Sequence, residues 1–282
     1  MKYEGLIEKI LFICASVSTI IIFVIVYYLM RNGIHILSLD FIFGMTYSPG
    51  TNQYGIFPII VTNFVTAVYS IILATVIGLP TAIFLSEYSP FWLRNIMKPL
   101  IEVIVGIPSV VIGFWGLIVL VPIIRNIFPS NQGQSMLTGA IVLAFMTLPT
   151  LISLSEDSLR AVPRDYREAS LALGATRWQT VTRVILPSAS SGIRAAIVLA
   201  MGRAVGETMA ALMVIGMPNI PWITFNPHDI VRTLPTTIAQ EFGYVEFFSI
   251  HYYALFGMGL VLFVSVFIMN LIATFFSGRN EM

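Results

Sequence analysis

Apolar residues run along this chain in blocks too long for a soluble fold, separated by short polar stretches. A spanning helix needs about 20 mostly apolar residues. Six stretches meet that length: Ile10 to Met30, Ile56 to Leu85, Leu100 to Val121, Met136 to Leu154, Ile193 to Ile215 and Tyr253 to Phe276. The pattern therefore predicts an all-α membrane protein of six transmembrane helices. The second stretch is longer than the hydrocarbon layer and must tilt, break near Pro80 or project beyond it. Its Thr62, Asn63, Thr66 and Ser70 fall near one face, where packing, with hydrogen bonds to neighbouring helices or to their own backbone, is the preferred reading. The third carries Gly106, Pro108, Ser109 and Gly113, which exclude a straight uniform helix and suit either tight packing or a pathway wall.

Between the fourth and fifth stretches lies the most polar run, Arg164 to Pro187. Pro163 suits a first helical turn, and Gly174 offers a permissive position after a short helix. Thr176 with Gln179 three residues on makes a capping box, Trp178, Val181, Val184 and Ile185 recur at helical spacing, and Pro187 is expected to end the run. The unit reads as helix, glycine elbow, helix.

Composition agrees with a membrane chain: 57% hydrophobic, 10% charged, mean hydropathy +0.89. The net charge of +1 carries no message about nucleic acid or acidic partners; the location of the charges does. On one side of the six spans lie Lys2, Lys9, Arg94, Lys98, Arg160, Arg164, Arg167, Arg177, Arg183, Arg194 and Arg279, eleven in all, against three, Arg31, Arg125 and Arg232, on the other. Positive loops stay inside, so both termini and the 164–187 loop are expected in the cytoplasm. The first span lacks a small-residue cleavage site and is expected to remain as an anchor. A single Cys14 excludes an internal disulfide, and His35, His228 and His251 show no metal spacing. The outer loops 31–55 and 216–252 are long; the second, rich in Pro and aromatics, is expected to form an extracytoplasmic lid and partner-docking surface, with a re-entrant or interfacial segment near Thr233 to Phe242.

The remaining basic residue, Arg203, lies inside the fifth stretch with Glu207 four residues later. Each charge costs about 2.5 to 3.5 kcal/mol at a helix centre, so both must face protein or water. On one continuous helix the i, i+4 spacing would let them pair. Intramembrane ionisable groups are otherwise candidates for a transport pathway. A guanidinium suits any oxyanion; a neighbouring carboxylate can accept the proton that hydrogen phosphate keeps and sulfate lacks.

The loop spacing of Glu168, Ala169, Ser170, Gly174 and Val184-Ile185-Leu186-Pro187 resembles the EAA loop by which ABC-importer permeases dock on their ATPases. Ser170 and Val184 depart from the usual alanine and isoleucine. A helix-turn-helix for DNA has a similar outline but would not sit tightly between membrane spans. The runs GIPSVVIGFWGL (106–117) and GRAVGETMA (202–210) narrow the resemblance to permeases of the phosphate-specific ABC importers, the PstC type more than the PstA type.

That resemblance implies a type I importer (MetI-like) permease fold in the cytoplasmic membrane of a prokaryote. It divides the chain into an N-terminal anchor helix with the first outer loop, 1–53, and a transmembrane domain, 54–282, whose coupling loop is 156–190. Implied partners are two ATP-binding subunits, a second permease subunit (PstA-like) in a heterodimer, and an extracytoplasmic phosphate-binding protein. Implied pathway residues are Arg203, Glu207, Thr208 and Ser109; implied coupling residues are Glu168, Ala169, Ser170, Gly174, Leu186 and Pro187. No cofactor is implied. None of the three lysines follows a glycine in a phosphate-loop pattern, so ATP hydrolysis is expected from a separate partner. Two alternatives stay open: the same architecture carrying molybdate, tungstate or sulfate, and a transporter or channel working without an ATPase. A membrane enzyme finds no catalytic constellation at useful spacing.

Overall fold

A computed structural model describes residues 4–129 and 132–277. Lys2 and Arg279, counted above for orientation, lie outside the described residues. The chain runs through α1 (Glu4–Gly33), α2 (Leu39–Phe43), a two-residue hairpin of β1 (Tyr47–Ser48) and β2 (Gln53–Tyr54), and α3 (Phe57–Ile83). It continues with α4 (Phe91–Val105), α5 (Ser109–Trp115), α6 (Val121–Ile127) and α7 (Met136–Ala161). The loop holds α8 (Arg164–Ala172), α9 (Arg177–Thr180) and α10 (Leu186–Ser188). Then follow α11 (Ser190–Gly206), α12 (Met209–Val214), α13 (Leu234–Glu241) and α14 (Ile250–Ser277).

Among the described residues five helices are long and apolar enough to cross a membrane, or six if the pair Arg177–Ser188 and Ser190–Gly206, bent by 68°, makes one span. Two expected spans need correction. The third does not begin at Leu100. A separate amphipathic helix, α4, ends at Gly106, and the crossing segment runs from Ser109 to Ile127. Pro108 sits at the break, because its ring disfavours helix in the residue before it and pre-sets the next turn. The fifth does not run on to Ile215: α11 stops at Gly206, Glu207 is extended (φ −70°, ψ 129°), and α12 starts afresh at Met209.

Three helical stretches widen into π turns: Phe84–Tyr88 after α3, Gly116–Leu120 between α5 and α6, and Val181–Ile185 between α9 and α10. Each ends two residues before a proline, Pro90, Pro122 or Pro187. A proline cannot donate to the carbonyl four residues back and its ring crowds it; the wider turn relieves that crowding. Pro187 consequently sits inside α10, and the bend falls at Ala189 instead of at the proline.

Helices α3 and α7 form the centre, with α11 packed on both and α14 behind α11. Helix α1 leans mainly on α14. The end of the bundle nearest the 164–187 loop is closed by Ala82, Leu85, Ile101, Ile152, Leu159, Val181, Ile185 and Ile193, so the loop's second helix is part of the core. At the opposite end Tyr47, Ile56, Ile59 and Leu234 pack on Leu255 and Met258 of α14. The buried Thr62 donates to the Arg232 carbonyl (2.6 Å), Thr66 to the Thr62 carbonyl (2.6 Å), and Asn63 reaches the Val205 carbonyl (3.4 Å). The polar face of α3 thus packs against protein.

The segment expected to be re-entrant or interfacial forms the helix α13, whose Leu234, Pro235, Thr236 and Thr237 are buried. Glu241 at its end ties the outer loops together: it accepts from Tyr47, from Arg232 (2.6 Å) and bonds His251 (2.9 Å).

Candidate functional site

The intramembrane charges do not pair as one continuous helix would have them. Because α11 ends at Gly206, Glu207 leaves the face that Arg203 occupies, and no ion pair joins them among the described residues. Arg203 is half-buried and donates from Nη1 to the hydroxyl of Thr150 on α7, at 3.0 Å. Glu207, also half-buried, turns to the next helix and accepts from the Ala210 amide at 3.4 Å. Thr208 donates to the Gly206 carbonyl at 3.3 Å, satisfying one of the acceptors the break sets free.

The break lies beside the other one. A Cβ on Gly113 would stand 2.7 Å from Ala210 Cα, and one on Gly116 3.1 Å from a Val214 methyl, so α5 and α12 run side by side in the same direction. Glycine at 113 is what allows this approach. Lys98 of α4 meets Glu156 near the end of α7 (2.8 Å), whereas Trp115 stacks on Phe145 (centroids 6.3 Å). The interruption at 106–108 therefore falls between those levels of α7, the interval that contains Thr150. Ser109, half-buried, is the first residue beyond it.

The loop has the expected form. Helix α8 ends at Leu173, Gly174 takes the left-handed conformation (φ 83°) with open space where a side chain would be, and Thr176 and Gln179 complete their capping box. Pro163 stands just before the helix as its cap. No residue of α8 is buried. Glu168 and Ala169 are exposed, as are Tyr166, Leu171, Leu173 (89%) and Trp178. Ser170 bonds Thr180 across the elbow at 3.0 Å, and Leu186 packs on the inner core while Pro187 is exposed.

Two features were not anticipated from sequence. Arg167 anchors α8 to the rest of the molecule: it bonds Glu87 through Nη2 (2.8 Å) and Nε (3.2 Å), and the carbonyls of Val162 (2.6 Å) and Leu159 (2.9 Å). Thr150 holds Arg203. Both partners belong to contacts between residues 53 or more positions apart, which spacing along one helix does not reveal. A cavity of about 430 Å³ opens beside α8, lined by Ser86, Arg94, Arg160, Arg164, Arg167 and Glu168. Beneath it the buried Glu156 takes Arg94 and Lys98, each at 2.8 Å.

The two sets of residues are joined by one rod. Thr150 and Leu159 sit on the same helix, about 14 Å apart along its axis at about 1.5 Å per residue. The Arg167 and Arg203 contacts are thus made on one and the same helix.

Residues 74–281 match the family model described as binding-protein-dependent transport system inner membrane component. The chain is 40% identical over 252 residues to the probable ABC transporter permease protein YqgH of Bacillus subtilis, covering 89% of this chain and 80% of that one. It is 32% identical over 264 residues to the phosphate transport system permease protein PstC of Xylella fastidiosa, covering 86% and 80%. In three dimensions it is similar to a chain of a bacterial alginate ABC transporter solved with a pentasaccharide-bound periplasmic protein (TM-score 0.64, 16% identity, 98% and 97% covered).

Proposed function

This chain belongs to the family of binding-protein-dependent transport system inner membrane components, and from that premise we propose that it is the permease subunit of an ATP-driven importer of inorganic phosphate. The observation that carries the reading is Arg203, a guanidinium inside a membrane span with no carboxylate partner among the described residues, held by a neutral threonine. A charge so placed faces protein or water, not lipid. Left without an anion of its own, it has donors to offer a passing oxyanion. Glu207, freed from the helix face, stands nearby in sequence as acceptor for the proton of hydrogen phosphate. The likeness to PstC of Xylella fastidiosa supports the same cargo.

In this reading Arg203, Glu207, Thr208 and Ser109 line the pathway, on residues 54–282 as the transmembrane domain, with 1–53 as anchor and outer loop. Helix α8 with Glu168, Ala169, Ser170, Gly174, Leu186 and Pro187 couples to the motor. The exposed Leu171 of α8, Leu173 just after it and Trp178 of α9 supply an apolar face for an ATPase groove. Two ATP-binding subunits hydrolyse ATP, a second PstA-like permease completes the pathway, and a phosphate-binding protein delivers cargo from outside. The basic-residue count favours both termini in the cytoplasm.

The test is purification of the intact complex, identification of its subunits, and uptake of labelled phosphate by vesicles carrying it. Glu207→Gln should narrow the preference for phosphate over sulfate at fixed binding protein; an unchanged preference removes the carboxylate's role. A complex without any nucleotidase, or with its loop labelled from outside, overturns the reading altogether.

A further inference from the structure

We infer that Asn63 is the positioning residue that keeps the fifth span broken, and so keeps Arg203 and Glu207 apart. The inference rests on the reading of those two residues as pathway groups, and it adds a device in α3 that holds them ready.

In an uninterrupted α-helix the Val205 carbonyl would accept from the amide four residues on, that of Met209. Here it accepts from Asn63 Nδ2 at 3.4 Å instead. Asn63 is 2% exposed and comes from a different helix, so its amide stands in for the missing backbone donor. In a bilayer an unsatisfied carbonyl costs several kcal/mol, and it is met either by closing the helix or by a side chain. Asn63 supplies the second solution. The other freed groups are served locally, the Gly206 carbonyl by Thr208 and the Ala210 amide by Glu207.

Loss of Asn63 reverses the balance. Without its amide the cheapest donor for Val205 is Met209, and bonding it winds residues 206–209 into helix. Winding brings Glu207 onto the face of Arg203, at the i, i+4 spacing that favours pairing. The guanidinium then has a resident carboxylate. Thr66, one turn along the same buried face, offers no such service, since its hydroxyl bonds only its own helix at Thr62.

The experiment uses the full complex in membrane vesicles, with Cys14→Ser to remove the native thiol and Met209→Cys as a reporter at an exposed position of the break. Asn63→Leu and Asn63→Ser are compared with Thr66→Val and with the unmodified background, reading the labelling rate of the reporter by a soluble maleimide and the phosphate uptake. Both Asn63 variants should slow labelling by about five- to tenfold and lower maximal uptake by a similar factor, with half-saturation nearly unchanged; Thr66→Val should do neither. Assembled Asn63 variants that label and transport like the background overturn the inference. So does failure of both to assemble, which makes Asn63 a folding residue only. Altered labelling in a complex that never carried phosphate would sink the cargo reading and leave this one standing.

Discussion

Arg167 and Glu87, eighty positions apart, meet through two nitrogens and two oxygens at 2.8 and 3.2 Å, joining the exposed α8 to the end of α3. The same guanidinium takes two carbonyls at the end of α7. Arg167→Met should therefore free α8 without unfolding the bundle, because no α8 residue is buried. Loss of charged hydrogen bonds here is worth about 2 kcal/mol. We expect ATP hydrolysis to continue while phosphate moved per ATP falls severalfold, measured as the ratio of the two rates. Glu87→Gln should have the same direction, and the double variant less than the sum.

Thr150→Val removes the hydroxyl that holds Arg203 while conserving volume. The donor is charged, so about 1.5 to 3 kcal/mol is lost and uptake should drop by about tenfold or more. Arg203→Lys should cost more, since an ammonium cannot present a planar fork to an oxyanion. Maximal uptake rates at saturating binding protein distinguish the two; equal losses would argue against the guanidinium's geometry mattering.

Gly174 stands at φ 83° with open space, among the described residues, where a Cβ would be. A side chain there meets no atom, so the penalty is conformational, about 1 to 2 kcal/mol for a left-handed non-glycine residue. Gly174→Val should uncouple hydrolysis from uptake by tilting the elbow, while Gly174→Asn, which tolerates this conformation, should retain most coupling.

Tyr47 carries a phenol pushed up by burial first and by the adjacent Glu241 second. A phenol whose folded value is raised stabilises the fold fully below the unfolded value of 10.0 and loses that contribution as pH climbs beyond it. The outer cap should therefore hold at neutral pH and loosen in strong alkali. Tyr47→Phe should weaken it by about 1 to 3 kcal/mol at pH 7, read as faster amide exchange in α13.

Much of this was visible in the sequence, and what was hidden has a common cause. Apolar blocks located four of the six spans, the first, second, fourth and sixth, and the Glu168, Gly174 and Thr176 to Gln179 spacing predicted the elbow because each depends on neighbours close in the chain. The break at Gly206 was missed because apolar residues continue past it to Ile215; what stops the helix is an amide donated by Asn63 from another helix. The third span was misplaced for a related reason: Gly106 and Pro108 marked an irregularity, but only the contacts of Lys98 with Glu156 and of Trp115 with Phe145 tell that two helices meet there. The partners Thr150 and Glu87 sit too far along the chain for any periodicity to signal them.

The wide turns ahead of Pro90, Pro122 and Pro187 give the molecule stored slack. Each holds one residue more than ordinary winding would use. Deleting a single residue from Val181–Ile185 would take up that surplus and leave Trp178 facing nearly as before, whereas the same deletion from an ordinary helical turn would swing everything on the far side by about 100°. A one-residue shortening there is absorbed on the spot, where the same change in the regular part of α11 would re-aim the whole elbow.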